Sequence, residues 1–287
     1  MIKHRDGRLI NEPNDQDRLL AALYGSIPGR ILLRPLVAPW VSRLAGRFLS
    51  SRLSVFLIRP FIRRNNIDMA QFEDVSYRSY NEFFSRKIRP EARKIDMRRE
   101  ILIAPCDSKL TVLPIAPDGV FSLKHTKYSL EGLLKNAALA KKYEGGFALI
   151  FRLTVDDYHR YCYAADGDKT KNTFIPGVLH TVNPIANDYY PIYKENCREY
   201  SLLMSEDFGD ILMMEVGALL VGKIVNHHQE ARVRRGQEKG YFQFGGSTVV
   251  LLLEKDAAEI DGDILENSGG GIETVVKMGE AIGRRKI

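Results

Sequence analysis

From Ile101 to Glu254 the chain is a succession of short apolar runs, rich in β-branched and aromatic residues and closed by Gly, Pro or Asp turns. ILIAP, FALIFRLT, GVLHTV, ILMMEVGALLVGKIV and YFQFGGSTVVLLLE are the clearest. Runs of this length and texture suit strands. Only Ser129 to Tyr143 interrupts them with helical composition. The tail from Ala257 is Gly-rich around Ser268 to Gly271 and then reads as one short helix-like stretch. No internal repeat is visible. At 287 residues the chain can hold one large domain or a domain with an appendage. The expectation is an α+β catalytic domain over 68–287, dominated by antiparallel sheet.

The upstream texture is different. Between Arg18 and Ile67 there are nine arginines and no lysine, aspartate or glutamate. The whole chain carries +6, so this segment carries +9 and the remainder −3. Leu19, Leu20 and Leu23, then Ile31 to Leu33 and Leu36, then Phe48, Leu49, Leu53, Phe56 and Leu57 recur at helical spacing, and Pro28, Pro35, Pro39 and Pro60 break the run. Residues 1–67 therefore read as a basic amphipathic helical segment. Arginines beside apolar residues and Trp40 suit a membrane surface, where each basic residue adds about 1 kcal/mol near anionic lipid. The plainer alternative is a helical arm packed on its own domain. Nucleic acid is not expected, because no helix-turn-helix, zinc finger or aromatic RNA-binding motif accompanies the charge. Met1 to Asn14 lacks the apolar core of a secretory signal, and no stretch approaches the roughly 20 apolar residues that span a bilayer. A soluble or peripherally bound protein is expected. Cys106, Cys162 and Cys197 are too widely spaced for a zinc site or a disulfide framework.

Three constellations can carry chemistry. Phe244-Gly245-Gly246-Ser247-Thr248 lies between two apolar runs. It reads either as a hairpin turn or as a site where Ser247 Oγ attacks the Gly246 carbonyl, since paired glycines permit the required bend. Good intramolecular geometry substitutes for about 7–11 kcal/mol of barrier. Asp156-Asp157-Tyr158-His159-Arg160 follows a strand-like run and offers a base near neutral pH; alone, it is equally a surface turn. Asp107, after Ala104-Pro105-Cys106, is a turn residue unless it orients a histidine. His227 and His228, at a strand end, are weak metal candidates. His125 and Lys127 suit either a lipid phosphate or solvent. The stripe Tyr77, Tyr80, Phe83, Phe84 reads as core.

APCDSKL, YSLEGLLKN, RLTVDDYHRY, GVLHTVNP, EVGALLVGKI and KGYFQFGGSTVVLLLE, in this order and behind YNEFFSRKIRPEAR, resemble the blocks of phosphatidylserine decarboxylases. The resemblance spans roughly Tyr77 to Glu254. It implies a precursor that cuts itself between Gly246 and Ser247 through an ester, leaving a large chain of residues 1–246 and a small chain of residues 247–287. Ser247 becomes a covalent pyruvoyl cofactor, and no metal is called for. Its ketone forms a Schiff base with phosphatidylserine and accepts electrons as carbon dioxide leaves, giving phosphatidylethanolamine. The resemblance also implies Asp107 as the relay carboxylate, His159 as the first histidine of DYHR, a homodimer, and a peripheral position on the cytoplasmic face of a bacterial membrane. One departure stands out: where the family commonly carries a second histidine, assigned as the self-cleavage base, this chain has Cys162. His159 then takes both roles or His180 stands in; Cys162 contributes only with a lowered pKa. Alternative functions are decarboxylation of a free amino acid by the same cofactor, or an uncleaved lipid-binding relative. A serine hydrolase is a more distant reading, because G-x-S-x-G is absent.

Overall fold

The computed structural model describes residues 1–10, 22–123, 125–183, 186, 189–218, 223–243 and 247–286. Its fold is α+β and mainly antiparallel, as the alternation of runs and turns predicts. The frame is an eleven-stranded sheet. In its middle the strands Gly209–Val216, Ser247–Leu253, Phe147–Leu153 and Ser108–Pro114 lie side by side, each antiparallel to the next. Glu273–Val276 follows on Ser108–Pro114.

The central strand, Ser247–Leu253, shows why its sequence is apolar almost without a break: both faces are covered. Val249, Leu251 and Leu253 pack with Phe151, Met213, Tyr161 and Phe242 on one face. Val250 and Leu252 pack with Ile150, Met214, Leu130 and Leu133 on the other. Burying each such side chain contributes about 1.5–3 kcal/mol. Two three-stranded sheets accompany the large one: Arg160–Cys162 with Glu238–Phe242 and Ile224–Asn226, and Ile101–Ile103 with Ala281–Arg285 and Ala258–Ile260. The helical interruption takes form as Leu130–Leu134 and Ala137–Lys141, capped by Ser129 and Asn136.

Two local expectations are corrected. GVLHTV is not a regular strand; Val178 makes one isolated bridge to Asn196. In the tail, the helix Gly262–Gly269 precedes the glycines, and strands follow them at Glu273–Val276 and Ala281–Arg285. Pairing partners far away in sequence, Ser108–Leu110 and Ile101–Ile103, decide that outcome over local composition.

The arm is helical: Ile27–Leu36, with Ser26 accepting from Gly29 N, then Pro39–Leu49, a tight turn of 3-10 helix at Arg52–Leu57, and Ile58–Arg64. Arg18, Leu19 and Leu20 lie outside the described residues. Residues 2–10 belong to the sheet instead of the arm. Ile2–His4 runs parallel to Glu273–Val275, and Arg5 grips Asp261 and Asp263. Leu33 and Val37 anchor the arm in the core beside Tyr24, while Leu49 and Ile58 pack with Tyr80, Phe83 and Phe84. Much of its apolar surface faces outward, with Leu53 74% and Phe56 68% exposed. No helix among the described residues is long and apolar enough to cross a membrane.

Candidate active site

The register of the central strands brings three candidate segments to one end of the sheet. Ser247 pairs with Leu153, Thr248 with Val216, and Ser108 with Val276. Ser247 is thereby the first residue of its strand, Asp107 immediately precedes another, and the turn carrying His159 leaves a third. Gly246, the other half of the expected scissile bond, lies with Phe244 and Gly245 outside the described residues.

Ser247 is completely buried, and its Oγ has no hydrogen-bond partner among the described residues. A buried hydroxyl without a partner is costly and calls for a reason. His159 is also completely buried. Its turn is tied down at Asp157, whose Oδ2 accepts from Lys109 Nζ at 2.6 Å, Thr154 N at 2.7 Å and Thr154 Oγ1 at 2.8 Å. His159 Nδ1 lies 2.9 Å from the Asp157 carbonyl. A carbonyl only accepts, so Nδ1 carries the proton and Nε2 keeps a lone pair. Among the described residues that Nε2 also has no partner. Phe84 lies against the ring at 4.2 Å between centroids. Burial, with help from the positive charges of Arg86 and Lys109, lowers the imidazole pKa to about 3. His159 is therefore neutral at physiological pH and able to accept a proton. Its carbonyl accepts from Phe242 N at 2.9 Å, so it flanks the strand that runs into residues 243–246.

Asp107 is held differently from a relay carboxylate. Arg93 Nε donates to Oδ1 at 2.9 Å and Nη2 to Oδ2 at 2.5 Å; Lys277 Nζ and Met278 N add contacts of 3.3 and 2.9 Å. None of these partners is a histidine. Burial alone would raise the carboxyl pKa, but Arg93 and Lys277 outweigh it and hold it below the usual range. The orienting partner of His159 is thus the Asp157 carbonyl.

The two accessory candidates separate. Cys162 lies close to Asp107, its N donating to Pro105 O at 2.8 Å. Burial pushes its thiol up to about 12, so it is not a thiolate near neutral pH. His180 sits under the arm: Nδ1 is 3.3 Å from Tyr24 Oη, and the ring stacks on Tyr190 at 4.4 Å. Burial lowers its pKa to about 4. His227 pairs with Glu238 at 2.6 Å and His228 lies 3.1 Å from Tyr163 Oη. Sequence reading missed Arg93, Lys109 and Lys277. Their only signal was a basic residue in RPEAR, CDSK and VVKM, and the contact between Lys277 and Asp107 spans 170 positions.

The α+β fold thus starts its central strand with a buried serine that has no partner among the described residues and sets a neutral histidine on the neighbouring turn. A sequence model described as phosphatidylserine decarboxylase matches residues 80–284. The phosphatidylserine decarboxylase proenzyme 2 of Clostridium acetobutylicum is 46% identical over 265 residues, covering 92% of this chain and 91% of the relative. The proenzyme of Clostridium perfringens strain SM101 is 43% identical over 249 residues, 85% of each chain. That of Clostridium tetani is 40% identical over 274 residues, 94% of this chain and 92% of its own. The chain belongs to the phosphatidylserine decarboxylase family, a family of carboxy-lyases.

Proposed function

We propose that the chain is a proenzyme which cuts its own Gly246–Ser247 bond and then decarboxylates phosphatidylserine to phosphatidylethanolamine. The observation carrying this reading is a pair of buried atoms without partners among the described residues, Ser247 Oγ and His159 Nε2, at one end of the sheet. Ser247 Oγ attacks the Gly246 carbonyl while His159 Nε2 takes its proton and returns it to the departing amide nitrogen. The resulting ester then breaks between Oγ and Cβ with loss of the α-proton, leaving Gly246 as a carboxylate. Water converts the remaining dehydroalanine to the pyruvoyl group and releases ammonia. Once formed, that group would supply a ketone for the substrate amine and an electron sink for decarboxylation. The residues fit it: position 247 is buried, and His159, neutral at physiological pH, lies on the turn that leaves the neighbouring strand at the same end of the sheet.

After scission Asp107 joins the two products, because Arg93 and Asp107 belong to the large chain and Lys277 and Met278 to the small one. Arg152 and Glu273, paired at 2.7 Å, form a second tie. The 41-residue small chain (287 − 246) keeps the central strand, whose two neighbours, Phe147–Leu153 and Gly209–Val216, belong to the large chain, so processing is expected to follow folding.

The arm extends the reading to a lipid surface. Leu53, Phe56, Trp40, Leu44 and Ile31 are exposed beside eight arginines from Arg30 to Arg64. Among the described residues none of these arginines is in an ion pair, whereas Arg93, Arg152 and Arg160 in the body are. This favours a membrane-borne amine over a free amino acid. The division into arm and catalytic domain then falls near Ile67, with residues 1–10 assigned to the domain.

Intact-protein mass and denaturing electrophoresis test the proposal. The expected result is two chains split before residue 247, a carbonyl-reactive start on the small chain, and carbon dioxide release from phosphatidylserine vesicles; Ser247→Ala stays whole and inactive. A cut, active Ser247→Ala protein overturns the mechanism. A single uncut wild-type chain, even with anionic lipid, moves the assignment to a lipid-binding relative.

A further inference from the structure

Arg86 is among the most buried charges in the molecule, 2% exposed, and it has no ion-pair partner among the described residues. It follows the helix Tyr80–Phe84, between the arm and the His159 turn. Its guanidinium is clamped by two aromatic rings, Phe72 at 4.2 Å and Phe83 at 4.8 Å from their centroids. Nη1 reaches the Phe83 carbonyl at 3.4 Å. Nε and Nη2 reach nothing among the described residues. These two nitrogens form one edge of the guanidinium, the fork that takes both oxygens of a carboxylate or phosphate in parallel. A second orphan lies alongside: Tyr77 Oη is buried without a partner among the described residues, and its ring packs on Phe83 at 5.4 Å. Phe84, next in the chain, covers His159. Asp156 acts on Arg86 through space only, with neither a hydrogen bond nor an ion pair between them.

A buried cation with an idle fork is expensive, since an unpaired charge loses its hydration on burial with nothing to replace it. Aromatic clamping holds the group in place but leaves its donors unused. A ligand oxyanion supplies what is missing. We propose that the Nε/Nη2 edge of Arg86, with Tyr77 Oη, is the subsite that receives an oxyanion of the substrate headgroup, positioned between the lipid-facing arm and His159. This rests on the reading of the chain as a decarboxylase of an anionic aminophospholipid and deepens it. Phosphatidylserine carries two such groups, the phosphodiester and the carboxylate. Burial lowers the Arg86 pKa only to about 10, so the fork stays charged at neutral pH.

The test uses the full chain with Arg86→Lys, Arg86→Met and Tyr77→Phe, the last removing one hydroxyl while keeping the ring. Rates are taken per mole of cleaved enzyme on phosphatidylserine in mixed micelles. Binding of soluble glycerophosphoserine and glycerophosphoethanolamine is measured by calorimetry on the uncut Ser247→Ala chain carrying the same changes. We expect KM to rise about tenfold to a hundredfold for Arg86→Met, and less for Tyr77→Phe, from loss of charge-assisted hydrogen bonds. Arg86→Lys keeps the charge without the fork and should fall between wild type and Arg86→Met. Weaker binding of both soluble ligands identifies the phosphate as the bound group. Weaker binding of the serine compound alone identifies the carboxylate. If KM and both affinities stay within twofold of wild type in Tyr77→Phe and Arg86→Lys, the subsite does not exist. Should Arg86→Met fail to fold, those two variants decide. A wild type that does not decarboxylate phosphatidylserine defeats the enzymatic reading, and the calorimetric comparison still decides the oxyanion site.

Discussion

The central strand and the N-terminal arm are both rich in leucine and valine, yet the molecule treats them in opposite ways. Every residue from Ser247 to Leu253 is buried. In the helix Ile27–Leu36 only Leu33 is. Apolar composition thus does not by itself say core. What differs is the number of covering surfaces: a strand in mid-sheet has a layer on each face, whereas a helix lying on the body's edge has one. The arm's outward apolar stripe is interleaved with arginines that form no ion pair among the described residues, the pattern on which the proposed lipid contact rests. The strand is the internal counterpart, where the fold spends its apolar content on holding Ser247 still.

Breaking the strand's end should have the largest effect. His159→Gln removes the proposed proton acceptor while keeping its volume close, so self-cleavage should slow at least about a hundredfold. Electrophoresis over time reads this directly, and cutting at the wild-type rate would remove His159 from the mechanism.

Leucines in the two regions sharpen the contrast. Leu251→Ala, in the strand, should cost about 2–5 kcal/mol in urea unfolding of the uncut Ser247→Ala chain. Leu53→Ala, in the arm, should change stability by less than about 0.5 kcal/mol. It should nevertheless weaken binding to anionic vesicles about tenfold, since a side chain that leaves water for lipid on docking is worth about 1.5–3 kcal/mol. Equal effects of the two on stability would mean that the arm is core after all.

The pH dependence comes next. His159, at about 3, and His180, at about 4, are depressed below the ordinary 6.5 by burial. Below 6.5 the unfolded chain takes up protons that these two sites refuse, so they destabilise the fold progressively as pH falls toward 4. Above 6.5 they contribute no pH dependence. For His159 the slope is about 1.4 kcal/mol per pH unit. Replacing it with Gln in the uncut background should flatten the unfolding curve between pH 6 and 4, and an unchanged slope would show that the imidazole titrates normally. For the same reason wild-type self-cleavage should be flat from pH 6 to 8.

The smallest effect is expected from single arm arginines. Arg47→Ala should weaken vesicle binding about fivefold at low salt, close to 1 kcal/mol. The difference should shrink at high ionic strength. A salt-independent loss would assign Arg47 a packing role.

How much was legible follows the range of the interactions. Strands announced themselves where texture and surroundings agreed, as in FALIFRL and STVVLLL. GVLHTV looked equally strand-like, but Gly177 packs its backbone against Glu195 and Asn196, leaving room for a single bridge. The tail failed for a related reason. Glu273–Val276 is a strand because Ser108–Leu110 offers an edge, and nothing within the tail itself records that.

The sequence alone determined the GGST motif, the order of the blocks around it and the segregation of positive charge, because each is written in neighbouring residues. Tertiary structure decided who serves whom. Asp107 is held by Arg93 and Lys277, and His159 is oriented by a backbone carbonyl two residues away. Cys162 is kept as a neutral thiol, and Arg86 is left with an idle fork. Those outcomes depend on burial and on partners up to 171 positions apart. Desolvation and hydrogen-bond supply are properties of a packed site, and no local stretch of sequence encodes them.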